Sequence, residues 1–103
     1  MPRPPKLTPE RQERVLAAIG AGATRKAAAS YAGVDESTLY RWLKRNASFA
    51  SLLRAREDEV EVRACAEIQQ AASADWRAAA WWLERRRPAD YGRTDRVDLN
   101  VRL

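Results

Sequence analysis

The stretch RKAAASYAGVDESTLYRWLK, residues 25–44, leaves the chain few ways to fold. Ala28, Ala29 and Ala32 keep one helix slim enough for a second to cross it closely, and Gly33 supplies the backbone freedom of a tight turn. Asp35 stands where an N-cap belongs, and Val34, Leu39 and Trp42 point into a core. This spacing predicts a helix-turn-helix. Its second helix turns Glu36, Ser37, Thr38, Tyr40, Arg41, Lys44 and Arg45 outward, the first residues placed to meet base edges and the last to meet phosphates. Arg41 is the first choice for a base contact, since a guanidinium pairs bidentately with guanine. Arg25, Lys26, Lys44 and Arg45 are assigned to the DNA backbone.

The rest of the chain is punctuated in the same way. Residues 1–7, with three prolines and two basic side chains, are expected to form a flexible arm. Thr8-Pro9 opens a first helix that carries Val15, Leu16 and Ile19 up to Gly20, and Thr24 caps a second running through Ala32. A third runs from Asp35 to about Arg45. Ser48 is expected to cap a long fourth helix from Phe49 to about Ala72, and Ser73 or Asp75 a fifth that Pro88 ends. The predicted fold is all-α, an N-terminal helix-turn-helix domain (8–46) followed by a helical hairpin used for oligomerisation (47–88). A C-terminal tail (89–103) ends in RVDLNVRL, whose period-2 alternation is that of a strand, which is expected either to stay disordered or to pair with another chain.

Composition excludes several chemistries. With no histidine and Cys65 alone, the chain builds no Cys/His zinc site, Ser-His triad or internal disulfide, so neither catalytic residues nor a metal or other cofactor is expected. No apolar run approaches the ~20 residues that span a bilayer, and MPRPPKLTPE is too polar for a secretory signal, so a cytoplasmic protein without membrane contact is expected. The net charge of +5 is uneven: residues 1–47 carry nine basic and four acidic side chains, residues 48–72 three and five. The basic half therefore coincides with the helix-turn-helix, as duplex DNA as a partner requires. The acidic run Glu57, Asp58, Glu59, Glu61 is read as a solvated face laced by Arg54–Asp58 and Glu59–Arg63 pairs.

Two elements carry more apolar surface than one chain can cover. On the fourth helix Phe49, Leu52, Leu53, Val60, Ala64, Ile68 and Ala71 form a core face, while Ala55, Val62 and Ala66 form a second strip. The fifth helix, within DWRAAAWWLERRRPADYGR (75–93), holds three of the four tryptophans. Trp76, Ala79, Ala80 and Leu83 make one stripe, with Trp82 at its flank and Trp81 on nearly the opposite side between Arg77 and Arg85. Either another chain covers the second side or nucleic acid contacts it; the first is preferred, and Val62, Ala66, Trp81 and Trp82 are assigned to an interface with further copies of the chain.

LTPERQERVLAAIGAGATRKAAASYAGVDESTLYRWLKR followed, after an acidic helix, by DWRAAAWWLERRRPADYGRTDRV resembles the small terminase subunits and related helix-turn-helix packaging proteins of tailed bacteriophages and prophages. The resemblance covers most of residues 7–97, and its second half is the discriminating part. It implies a non-enzymatic protein that binds the packaging-initiation region of phage DNA through residues such as Ser37, Thr38, Tyr40, Arg41 and Lys44. It also implies assembly into a homo-oligomeric ring through the helices at 49–87, and recruitment of the large terminase subunit, the ATPase and nuclease of the motor. Very little chain follows residue 93, which departs from the family. Two other readings compete: a transposase-associated or regulatory helix-turn-helix protein, dimeric on half-sites about 34 Å apart, and a helical adaptor that binds only protein.

Overall fold

A computed structural model describes residues 5–92. In chain order the helices are α1 (Pro9–Gly20), α2 (Arg25–Tyr31), α3 (Glu36–Arg45), α4 (Ala47–Ala72), α5 (Trp76–Arg86) and α6 (Pro88–Tyr91). No strand occurs among the described residues, and the fold is all-α. The strand expected at 94–103 and the first four residues of the expected arm lie outside the described residues.

Helix starts are fixed by short polar side chains that accept an otherwise orphaned amide. Thr8 Oγ1 accepts from the Arg11 amide at 3.2 Å, Thr24 Oγ1 from Ala27 at 3.1 Å, and an Asp35 carboxylate oxygen from Thr38 at 2.9 Å. Asn46, rather than Ser48, opens α4: its Oδ1 accepts from the Phe49 amide at 3.0 Å, and the Ser48 hydroxyl donates to the same oxygen at 2.9 Å. Between Ser73 and Asp75 the cap of α5 is Asp75, which accepts from the Arg77 amide at 2.9 Å, because the Ser73 hydroxyl turns back to the Gln70 carbonyl at 2.7 Å. Pro88 ends α5 as expected and then opens α6, an unexpected single turn.

The chain divides into two compact units, residues 1–63 and 64–103. In the first, Val15 and Ile19 of α1, Ala28 and Ala29 of α2 with its C-cap Ala32, Leu39 and Trp42 of α3, and Phe49 and Leu53 of α4 form one buried cluster. Phe49, Ile19, Leu39, Leu53 and Val15 are its largest fully buried side chains, each worth roughly 1.5–3 kcal/mol of burial. The helix-turn-helix unit therefore does not stop at residue 46: the first turns of α4 close its core. Gly33 adopts φ +82° at the turn between α2 and α3, and Gly22 φ +100° after α1. The Arg63 guanidinium donates to the Gly20 carbonyl at 2.9 Å, satisfying an orphan acceptor at the end of α1.

Residues 5–7 are tied to this unit rather than free. The Trp42 indole N–H donates to the Pro5 carbonyl at 3.1 Å, Arg11 donates to the Lys6 carbonyl at 2.8 Å, and Leu7 packs against the core. The expected core face of α4 narrows to Phe49, Ala50 and Leu53, which share one edge of the helix; Leu52 lies off that edge and is exposed, as are Ala64 and Ala71.

In the second unit no described α5 residue is fully buried. The half-buried sets are Cys65, Ile68 and Ala72 of α4 with Ala78, Ala79, Ala80 and Trp82 of α5. The expected stripe Trp76, Ala79, Ala80 and Leu83 splits: the two alanines are half-buried, whereas Trp76, at the first position of α5, is 76% exposed and Leu83 is also exposed. An apolar cleft of about 370 Å³, lined by Glu67, Ile68, Ala71, Ala78 and Trp81, opens on this unit.

Candidate nucleic-acid interface

The outward side of α3 follows from how its start and its inner edge are held. Asp35 is kept far below the ordinary carboxylate range, at about 2, chiefly by hydrogen bonding from the Thr38 side chain, then from the Thr38 amide and the Ser37 hydroxyl, with Arg41 adding charge. An anionic cap at the positive end of a helix is the favoured arrangement. At the other end, Lys44 and Arg45 lie in the last turn, where cations complement the helix dipole.

Ser37, Tyr40, Arg41, Lys44 and Arg45 are exposed, and Glu36 is half-buried. Thr38 does not belong with them. It is 4% exposed, because four residues before Trp42 it falls on the edge of α3 that faces the core. Its hydroxyl accepts from the Arg41 guanidinium at 3.0 Å, so Thr38 holds the arginine instead of reading a base. The remaining guanidinium donors of Arg41 stay available.

Arg25 is likewise displaced from its expected role. Its Nε and Nη2 each donate to a Glu57 carboxylate oxygen at 2.8 Å, a bidentate pair linking α2 to α4. The same guanidinium carbon lies 5.7 Å from the centroid of the Tyr40 ring. Hydrogen bonding to Glu57 drives the Arg25 pKa further up, and Arg25 in turn lowers that of Glu57. Arg25 thus clamps α2, α3 and α4 together, whereas Lys26 is exposed.

Glu57 was missed by sequence reasoning, which placed it on a solvated face. Its partner lies 32 residues away, beyond any helical spacing rule. The other pairs also differ from expectation: Arg56 meets Glu59 at 3.6 Å and Arg63 turns to Gly20, in place of Arg54–Asp58 and Glu59–Arg63. Among the described residues no group of three metal-ligating side chains comes together, and no helix is long and apolar enough to cross a membrane.

The residues assigned to an oligomer interface separate into two kinds. Val62 is 68% exposed, Ala66 is exposed and Trp81 is 45% exposed, while Trp82 is half-buried within its own unit. Trp81 does not sit between two arginines: Arg85 stacks over it at 4.3 Å, whereas Arg77 turns to Asp75 at 3.1 Å. Arg86 lies 5.8 Å from the Trp82 ring. No family model, curated protein or solved structure matches the chain.

Proposed function

We propose that this chain is a non-enzymatic DNA-recognition protein acting in viral genome packaging as a terminase small subunit. Its helix-turn-helix docks on duplex DNA, exposed apolar side chains of α4 and α5 bind further copies of the chain, and the assembly recruits the large terminase ATPase and nuclease. The observation that carries the DNA reading is the outward strip Ser37, Tyr40, Arg41, Lys44 and Arg45 on a capped helix whose opposite edge is locked into a core. A helix in the major groove needs this division, with a rigid inner edge and an outer edge of donors and cations. The packaging role rests on the likeness of residues 7–97 to small terminase subunits, and the assembly role on the exposed Val62, Ala66 and Trp81. The cell interior is where such a protein works.

Fluorescence anisotropy with labelled duplex, across a salt series, tests the first part. With three to five phosphates neutralised, log K falls with log salt at a slope of about −3 to −4.5. Arg41→Ala combined with Lys44→Ala abolishes most of that binding; retention of wild-type affinity by the double variant contradicts the reading. Native mass spectrometry tests the second part. A closed ring of many protomers supports packaging, and a dimer replaces it with a regulatory or transposase-associated protein.

A further inference from the structure

Beside α3, on the side that faces α2 and α4, lies a cleft of about 340 Å³ lined by Arg25, Tyr40, Leu43, Lys44, Ala50 and Arg54. It brings three cations to one place, and they are not equivalent. Arg25 has both carboxylate oxygens of Glu57 and is neutralised within the fold. Lys44 and Arg54 are exposed, and among the described residues neither has an ion-pair partner within 4.0 Å, although the Arg54 charge, after that of Arg25, helps to lower the pKa of Glu57. Two like charges on the rim of one cleft, over the apolar side chains of Leu43 and Ala50, repel each other unless an anion lies between them.

Position decides which anion fits. Tyr40 and Lys44 are one helical turn apart on α3 and adjoin Arg41, the residue aimed at base edges. A helix lying in a major groove about 12 Å wide has a phosphate backbone on either flank. With α3 seated in the groove, the cleft beside it would lie on one such flank.

We propose that this cleft holds one backbone phosphodiester of the bound duplex, with Lys44 and Arg54 as its cationic ligands and the Arg25–Glu57 pair, stacked on Tyr40, as the rigid wall that fixes their separation. The inference rests on the DNA reading above and adds to it a contact from α4, outside the helix-turn-helix. Arg54 thereby sets the register of α3 in the groove without reading sequence.

The test is a salt series of duplex affinity for the wild-type chain, Arg54→Ala and the control Arg56→Ala, whose arginine pairs with Glu59 and does not line the cleft. Arg54 is exposed on a helix, so alanine preserves the fold, which circular dichroism verifies. Losing one phosphate contact makes the Arg54→Ala slope shallower by about 0.9, equally on a preferred and an unrelated duplex, while Arg56→Ala keeps the wild-type slope. A salt-dependent wild type with an unchanged Arg54→Ala slope overturns the cleft assignment and leaves the DNA reading standing. A wild type whose binding does not respond to salt overturns the DNA reading itself.

Discussion

Single residues carry the turn and the cap on which α3 depends. Gly33 sits at φ +82° with nothing within 4 Å of where a Cβ would project, so Gly33→Ala isolates the backbone term. A left-handed conformation costs an L-residue roughly 1–2 kcal/mol, and chemical denaturation of Gly33→Ala should show a loss of that order; no loss would mean that the turn relaxes. The cap has a pH signature. Asp35 has a folded pKa near 2 against 3.8 when free, so its stabilisation is complete above about pH 4 and disappears as the pH falls through 2. Asp35→Asn retains an acceptor oxygen but does not titrate. Thermal melts of the two proteins should therefore diverge in favour of the wild type above pH 4 and converge toward pH 2; a constant offset at every pH contradicts the anionic cap. Gly33 and Asp35 were legible in the sequence because turn and cap chemistry is local. Thr38 carried a signal that was passed over, since its place four residues before Trp42 puts it on the core edge. Arg25 carried none, because its fate depends on a carboxylate far along the chain.

Within elements, boundaries were legible nearly to the residue, whereas faces were less so. The bounds of α1 and α3 follow their cap signals. The α4 start differs by two residues because Asn46 serves both as the residue that closes α3 and as the side chain that caps α4. Asn46→Ala should then cost about 1 kcal/mol, the usual value of an N-cap side chain, while Ser48→Ala costs distinctly less; equal costs in urea titration would return the cap to Ser48. The faces of α4 and α5 misled because alanine fills both their half-buried and exposed positions, which blurs the periodic signal. On α5 the exposed Trp81 under Arg85 is the residue whose loss should affect assembly more than folding. Trp81→Ala is expected to retain its helical circular dichroism while its native mass drops, since truncating an aromatic anchor costs ~2 kcal/mol or more at an interface. Unchanged mass would leave Trp81 an ordinary surface residue.

For the molecule as a whole, the sequence indicated an all-α chain with its basic charge on the helix-turn-helix, and the described residues have that all-α character. Phe49, Ala50 and Leu53 belong to the first core although they follow the last residue of the motif. A motif defined by α2 and α3 gives no sign of which later helix seals it. On the proposed function, α3 with Arg54 beside it would meet DNA and the aromatic α5 would meet protein. Amide chemical-shift mapping of the labelled chain during titration with short duplex DNA tests that division most directly. Shifts are expected to concentrate at Ser37, Tyr40, Arg41, Lys44, Arg45 and Arg54 and to fade with added salt, with little change at Trp76–Arg86. Shifts concentrated on Trp76–Arg86, with α3 unmoved, would contradict that division.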